Sequence, residues 1–161
     1  GEDEQTLATV VGRSLTEREK TVAVAESCTG GLVCGHLTSV AGSSAYLVGG
    51  IVAYSNQLKR SLLNVDADLI ETNGAVSDAV ARAMATGVAN VCTSDFGLAI
   101  TGIAGPGGGT EQKPVGRTYI AVTDGGETEC REFTFPGDRE TVRVRATNAA
   151  LDLLRRRVGA E

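Results

Sequence analysis

Hydrophobic and polar positions recur along this chain with two different periods, and the switches between them outline its elements. Residues 3–19 set Leu7, Val10, Val11 and Leu15 at helical spacing among charges, which predicts an amphipathic helix lying on a sheet. Thr21–Ala25 is a short continuous apolar run, the pattern of a buried strand, and Gly30-Gly31-Leu32-Val33 opens a second helix that ends near Val40-Ala41-Gly42. "YLVGGIVAY" (46–54) reads as a second strand, with Gly49-Gly50 marking a bulge or a close backbone approach. A short helix is expected over 55–63. A longer one follows Ser77, a suitable N-cap, with Val80, Ala83, Met84, Val88 and Val91 on one face.

"FGLAIT" (96–101) is a third strand. After it, residues 102–116 hold five glycines in their first eight positions and two prolines, a loop of the length that tends to be functional. Residues 117–123 and 127–135 alternate around the turn signal "TDGGE" and predict a β-hairpin. A last helix from Asp138 to Arg157 aligns Val142, Ala146, Ala149, Ala150, Leu153 and Leu154. The order α β α β α α β β β α implies crossovers first and a hairpin last. The expected fold class is therefore α/β: a three-layer αβα domain around a mixed, mostly parallel five-stranded sheet, with all 161 residues in a single domain.

Composition narrows the function. The net charge of −5 offers no basic field for a nucleic-acid backbone, so no nucleic acid is expected as partner. No apolar run reaches the ~18–20 residues of a membrane span, and the acidic start Gly1-Glu-Asp-Glu is unlike a signal peptide, which predicts a cytoplasmic protein without a membrane partner. Cys28, Cys34, Cys92 and Cys130 form no CxxC pair, and His36 is the single histidine. Reduced thiols, no metal and no cofactor are expected.

The candidate chemistry lies in "AESCTGG" (25–31), at the first strand-to-helix turn, where open α/β sheets bind ligands. Ser27 there is placed to attack a carbonyl, with the amides of Thr29, Gly30 and Gly31 around the developing oxyanion; equally, Ser27 or Thr29 is placed to cap the helix. His36 lies two to three turns along that helix, out of reach of Ser27. The remaining way to activate a serine is a buried, neutral lysine. Of the three lysines, Lys59 stands five residues after Tyr54 at the end of the second strand, near the same sheet edge, although an exposed helix lysine is the plainer reading. Cys28 is a rival nucleophile without a histidine partner. Thr101 ends the third strand at that edge too, and the glycine-rich loop after it lacks the lysine and hydroxyl of a phosphate-binding P-loop.

Five segments in order, "AESCTGG", "GGIVAYSNQLK", "GAVSDAVARAMATG", "AITGIAGPGGGTEQKPVG" and "FPGDRETVR", resemble the CinA C-terminal domain family of nicotinamide-nucleotide amidases, over about residues 4–157. The resemblance implies a three-layer αβα fold and hydrolysis of nicotinamide mononucleotide to nicotinic acid mononucleotide and ammonia. It implies Ser27 as nucleophile, Tyr54 and Lys59 acting with it, and a substrate site of Thr29, Gly30, Gly31, Thr101, Gly102 and either Arg139 or Arg143. The partner it implies is a small pyridine nucleotide, with self-association into a homo-oligomer left open. Many members also carry a large N-terminal domain resembling molybdopterin-binding proteins, which these 161 residues do not contain. The alternative reading is a non-catalytic nucleotide-binding or regulatory module of the same family.

Overall fold

Period-two alternation in the strands decides which helices cover which face of the sheet. A computed structural model describes residues 5–159; the acidic start at 1–4 lies outside them. The elements are α1 (Leu7–Glu17), β1 (Val22–Glu26), α2 (Leu32–Thr38), β2 (Leu47–Val52), α3 (Asn56–Leu63), α4 (Ala67–Asn73), α5 (Asp78–Cys92), β3 (Phe96–Gly102), β4 (Arg117–Thr123), β5 (Thr128–Thr134) and α6 (Arg139–Arg157), with one 3-10 turn at Ser43–Ala45. The five strands form one sheet in the order β2-β1-β3-β4-β5. β1 pairs in parallel with β2 and β3, whereas β3–β4 and β4–β5 are antiparallel, so four of the five strands run the same way.

Large side chains fill one face, and mostly small ones the other, where Tyr119 is the buried exception. Val22, Val24, Leu98, Ile100, Ile120 and Val122 meet α1, α2 and α6. Ala23, Ala25, Ala99 and Ala121 face α3, α4 and α5. The small-residue face lets α5 approach closely: a Cβ on Gly97 would lie 2.1 Å from the Ala85 carbonyl oxygen. The helix caps follow the sequence: Ser55 accepts from the Leu58 amide, Ser77 from Val80 and Asp138 from Thr141.

The differences from the sequence expectation are local. Helix α4 occupies a stretch without a predicted element; it is seven residues long and buries only Ile70, too little for a periodic signal. Val91, expected on the buried face of α5, is 49% exposed, because in the last turn it is Ala89 and Cys92 that turn toward the protein interior. The second strand ends at Val52 rather than Tyr54, where the chain turns into the Ser55 cap of α3. No helix among the described residues is long and apolar enough to cross a membrane.

Candidate active site

Strand β1 ends by sending consecutive side chains to opposite faces of the sheet. Glu26 enters the face under α2, and Ser27, whose amide still pairs with the Ile100 carbonyl, turns toward α3. The C-terminal ends of the three parallel strands meet here: Ser27 after β1, Tyr54 after β2, and Thr101 with Gly102 closing β3. Together with Lys59 and Arg139 they line a cavity of about 180 Å³. Larger depressions occur elsewhere, one of about 440 Å³ beside α1, but they do not combine a buried nucleophile with a buried amine.

Lys59 is the largest fully buried side chain of the described residues, 1% exposed, which overturns the exposed-helix reading. Its Nζ lies 3.1 Å from Ser27 Oγ, 2.9 Å from the Ala53 carbonyl oxygen and 3.1 Å from the Tyr54 carbonyl oxygen. Burial pushes its pKa below the ordinary lysine value, opposed in part by the Cys28 thiol, and no carboxylate among the described residues pairs with it. A neutral amine has two N–H groups and one lone pair. With the two carbonyls accepting the N–H groups, the lone pair is left for the Ser27 hydroxyl proton.

The other cavity residues have defined partners. Thr101 is buried and donates from Oγ1 to the Ala75 carbonyl at 2.9 Å. The Tyr54 side chain is 59% exposed, at the rim, and its hydroxyl accepts from Arg139 Nη2 at 3.1 Å. Its tie to Lys59 is through the backbone carbonyl. Arg139 also donates from Nη1 to the Gly105 carbonyl at 2.7 Å, which joins α6 to the glycine-rich loop. That loop is fixed at a second point by Lys113, whose Nζ donates to the Asn73 carbonyl at 2.6 Å.

The remaining expected site residues lie behind the Ser27 turn. Gly30 and Gly31 have φ of 59° and 109°, a region that favours glycine, so the turn depends on both. Their amides, expected at the oxyanion, are already engaged: Gly30 N–H donates to the Ser27 carbonyl at 3.1 Å and Gly31 N–H to Glu26 Oε1 at 3.1 Å. Thr29 Oγ1 donates to the same carboxylate at 2.6 Å. The amides of Cys28 and Thr29 have no acceptor on any other described residue, so the donors next to Ser27 open to a ligand are these two. Arg143 holds the Cys28 and Thr29 carbonyls and does not line the cavity, which separates it from Arg139.

Glu26 is the residue the sequence reading missed. It is fully buried, and besides Thr29 and Gly31 it accepts from the Val33 and Cys34 amides at 3.0 Å each. Helix α2 has glycine at its N-cap and no side-chain cap of its own, so this carboxylate from the preceding strand performs that task. A glutamate directly after four apolar strand residues and before a helix was the available signal. Burial pushes the Cys28 thiol up to about 11, which disfavours the thiolate that a cysteine nucleophile needs. His36 is exposed on α2, consistent with its exclusion as the base.

Comparison with known proteins adds an independent line. Residues 4–158 match the CinA C-terminal domain family. A CinA-like protein of Thermosynechococcus vestitus is 55% identical over 161 residues, covering 98% of this chain and 39% of that protein. A CinA-like protein of Syntrophus aciditrophicus is 52% identical over 159 residues, covering 98% and 38% respectively. The chain thus spans about two fifths of the length of these curated relatives. Among solved structures, a competence-damaged protein (CinA) superfamily member from Klebsiella pneumoniae superposes with a TM-score of 0.92 at 34% identity, covering 96% of this chain and 97% of that one. The competence/damage inducible protein CihA from Agrobacterium tumefaciens gives 0.90 at 40% identity, covering 92% and 91%.

Proposed function

The chain belongs to the CinA C-terminal domain family, and on that premise we propose that it is a serine amidase that hydrolyses the carboxamide of nicotinamide mononucleotide. The single observation that carries this reading is the buried Lys59 amine, 3.1 Å from Ser27 Oγ and held by two carbonyls. Lys59 takes the hydroxyl proton as Oγ attacks the carboxamide carbon, forming the C–O bond of a tetrahedral intermediate. The oxyanion is met by the free amides next to Ser27. Collapse breaks the C–N bond, and the proton held by Lys59 passes to the leaving nitrogen, which departs as ammonia. Lys59 then deprotonates a water that attacks the acyl ester; nicotinic acid mononucleotide leaves and Ser27 regains its proton.

Arg139 is the cation of the cavity wall and the candidate partner of the substrate phosphate, a bidentate acceptor suited to guanidinium. Tyr54, bonded to Arg139 at the rim, would fix that side chain's direction, and Thr101 lines the same cavity. Gly102, without a side chain, leaves room beside Cys28, whose Sγ would lie 3.1 Å from a Cβ placed there.

Ammonia release from nicotinamide mononucleotide by the wild type, Ser27→Ala, Lys59→Ala and Cys28→Ala tests the reading. Ser27→Ala is expected to lower kcat by roughly 1,000-fold or more, and Lys59→Ala by at least about 100-fold, the range of a lost general base. Cys28→Ala should stay near the wild type. Normal turnover by Ser27→Ala with loss in Cys28→Ala would reverse the assignment. Wild-type protein that binds the mononucleotide and releases no ammonia would be a nucleotide-binding module instead.

A further inference from the structure

The hydrogen bonds behind Ser27 form a chain that ends at the cavity. Arg143, one helical turn after Arg139 on α6, donates from Nε to the Cys28 carbonyl at 3.0 Å and from Nη2 to the Thr29 carbonyl at 3.2 Å. The C=O and N–H of a trans peptide point in opposite directions. A Thr29 carbonyl turned toward Arg143 therefore turns the Gly30 N–H away from it, and that N–H donates to the Ser27 carbonyl at 3.1 Å. The Ser27 carbonyl, so held, directs the Cys28 N–H the other way. Cys28 lines the cavity, and its N–H has no acceptor on any other described residue.

The guanidinium is seated directly on this turn: a Cβ on Gly30 would lie 3.2 Å from Arg143 Nη2. Glu26 in turn holds Thr29 Oγ1 and the Gly31 amide, so the residues flanking the Thr29–Gly30 peptide are tied down as well. Hydrogen bonds in series polarise one another, each donor strengthened by the bond its own carbonyl accepts, by perhaps ~10–30% per bond. Here the series starts at a cation and ends at an unoccupied N–H beside the nucleophile.

We propose that Arg143 is a positioning residue, which orients and polarises the Cys28 N–H as oxyanion donor through the Thr29–Gly30 and Ser27–Cys28 peptides without touching substrate. The inference rests on the amidase reading above and gives Arg143 a part different from that of Arg139. A phosphate ligand acts on binding of the phosphate. A residue acting through the Cys28 amide acts on every reaction at Ser27, whatever the rest of the substrate carries.

The test follows modification of Ser27 by a small fluorophosphonate, in which Oγ forms a bond to phosphorus as fluoride leaves and the reagent's phosphoryl oxygen occupies the oxyanion position, by intact-protein mass spectrometry. Ammonia release from nicotinamide mononucleotide and from its phosphate-free nucleoside is measured beside it. Arg143→Gln is expected to slow modification about 10- to 100-fold, less than the ~100- to 1,000-fold cost of deleting an oxyanion donor outright. It should lower kcat by a similar factor for both compounds, with KM within about 2-fold of the wild type. Arg143→Lys, which keeps the cation but loses the fork, should fall between, and decides the matter if Arg143→Gln does not fold. Modification at the wild-type rate in the folded variants, or a loss confined to the KM of the phosphorylated compound, overturns the inference. Wild-type protein modified at Ser27 that releases no ammonia sinks the amidase reading and leaves this inference to the modification rates alone. Wild-type protein that is not modified at Ser27 sinks both.

Discussion

A buried lysine with no carboxylate partner is costly to keep charged, and that cost is what makes Lys59 useful beside Ser27. The base must be neutral to accept a proton. With its pKa lowered by burial, kcat/KM should rise with pH through the lowered Lys59 value and then level off. An acid limb centred at or above the unperturbed lysine value of about 10.4 would remove Lys59 as base. The same shift sets the sign for stability. Between the lowered folded value and about 10.4 the unfolded chain binds a proton that the folded one does not, so stability should rise with pH across that window. Urea unfolding of wild type and Lys59→Met at several pH values checks this, since the variant should lose that slope.

At the scale of elements, the motif residues were legible and their partners were not. Ser27, Tyr54, Thr101 and Arg139 come to one sheet edge because each sits at or just past the end of a strand, or at the start of a helix, whose pattern is strong, and Lys59 reaches the same edge from within α3. Arg139 and Arg143 are one turn apart on α6, and only the position of the Ser27 turn relative to that helix separates cavity from backbone contact. Glu26 escaped notice because a charged residue at a strand end ordinarily marks the solvent edge. Its burial depends on the amides of a helix that starts six residues later. Glu26→Gln should therefore be costly although the shape is kept. Oε1 accepts three bonds and Oε2 one, and an amide nitrogen in either place faces a donor. Urea denaturation is expected to show a loss of about 1–3 kcal/mol, more if both ends are disturbed; unchanged stability would mean that α2 does not depend on this carboxylate.

Over the whole molecule, the sheet separates two cores of different grain: aliphatic side chains under α1, α2 and α6, and a bed of alanines under α5. The alternation Val-Ala-Val-Ala in β1 already contained this division, but a continuous apolar run hides it, since both faces are buried and period two has no polar residue to mark it. The division has a mechanical consequence. The Ser27 turn is tied to α6 through Arg143 and to α3 through Lys59, helices that belong to opposite cores, so site geometry draws on both. Changes in the two cores should then be independent in stability while both bear on the site. Ile100→Val, in the aliphatic core, is expected to cost about 0.5–1.5 kcal/mol, and Met84→Ala, on the buried face of α5, about 2–5 kcal/mol. With the sheet between them and no shared partners, the double variant should equal the sum within about 0.5 kcal/mol. Denaturant unfolding followed by circular dichroism of the four proteins measures this. A coupling well beyond that margin would show that the sheet transmits packing strain from one face to the other, and that the two halves of the site are not built independently.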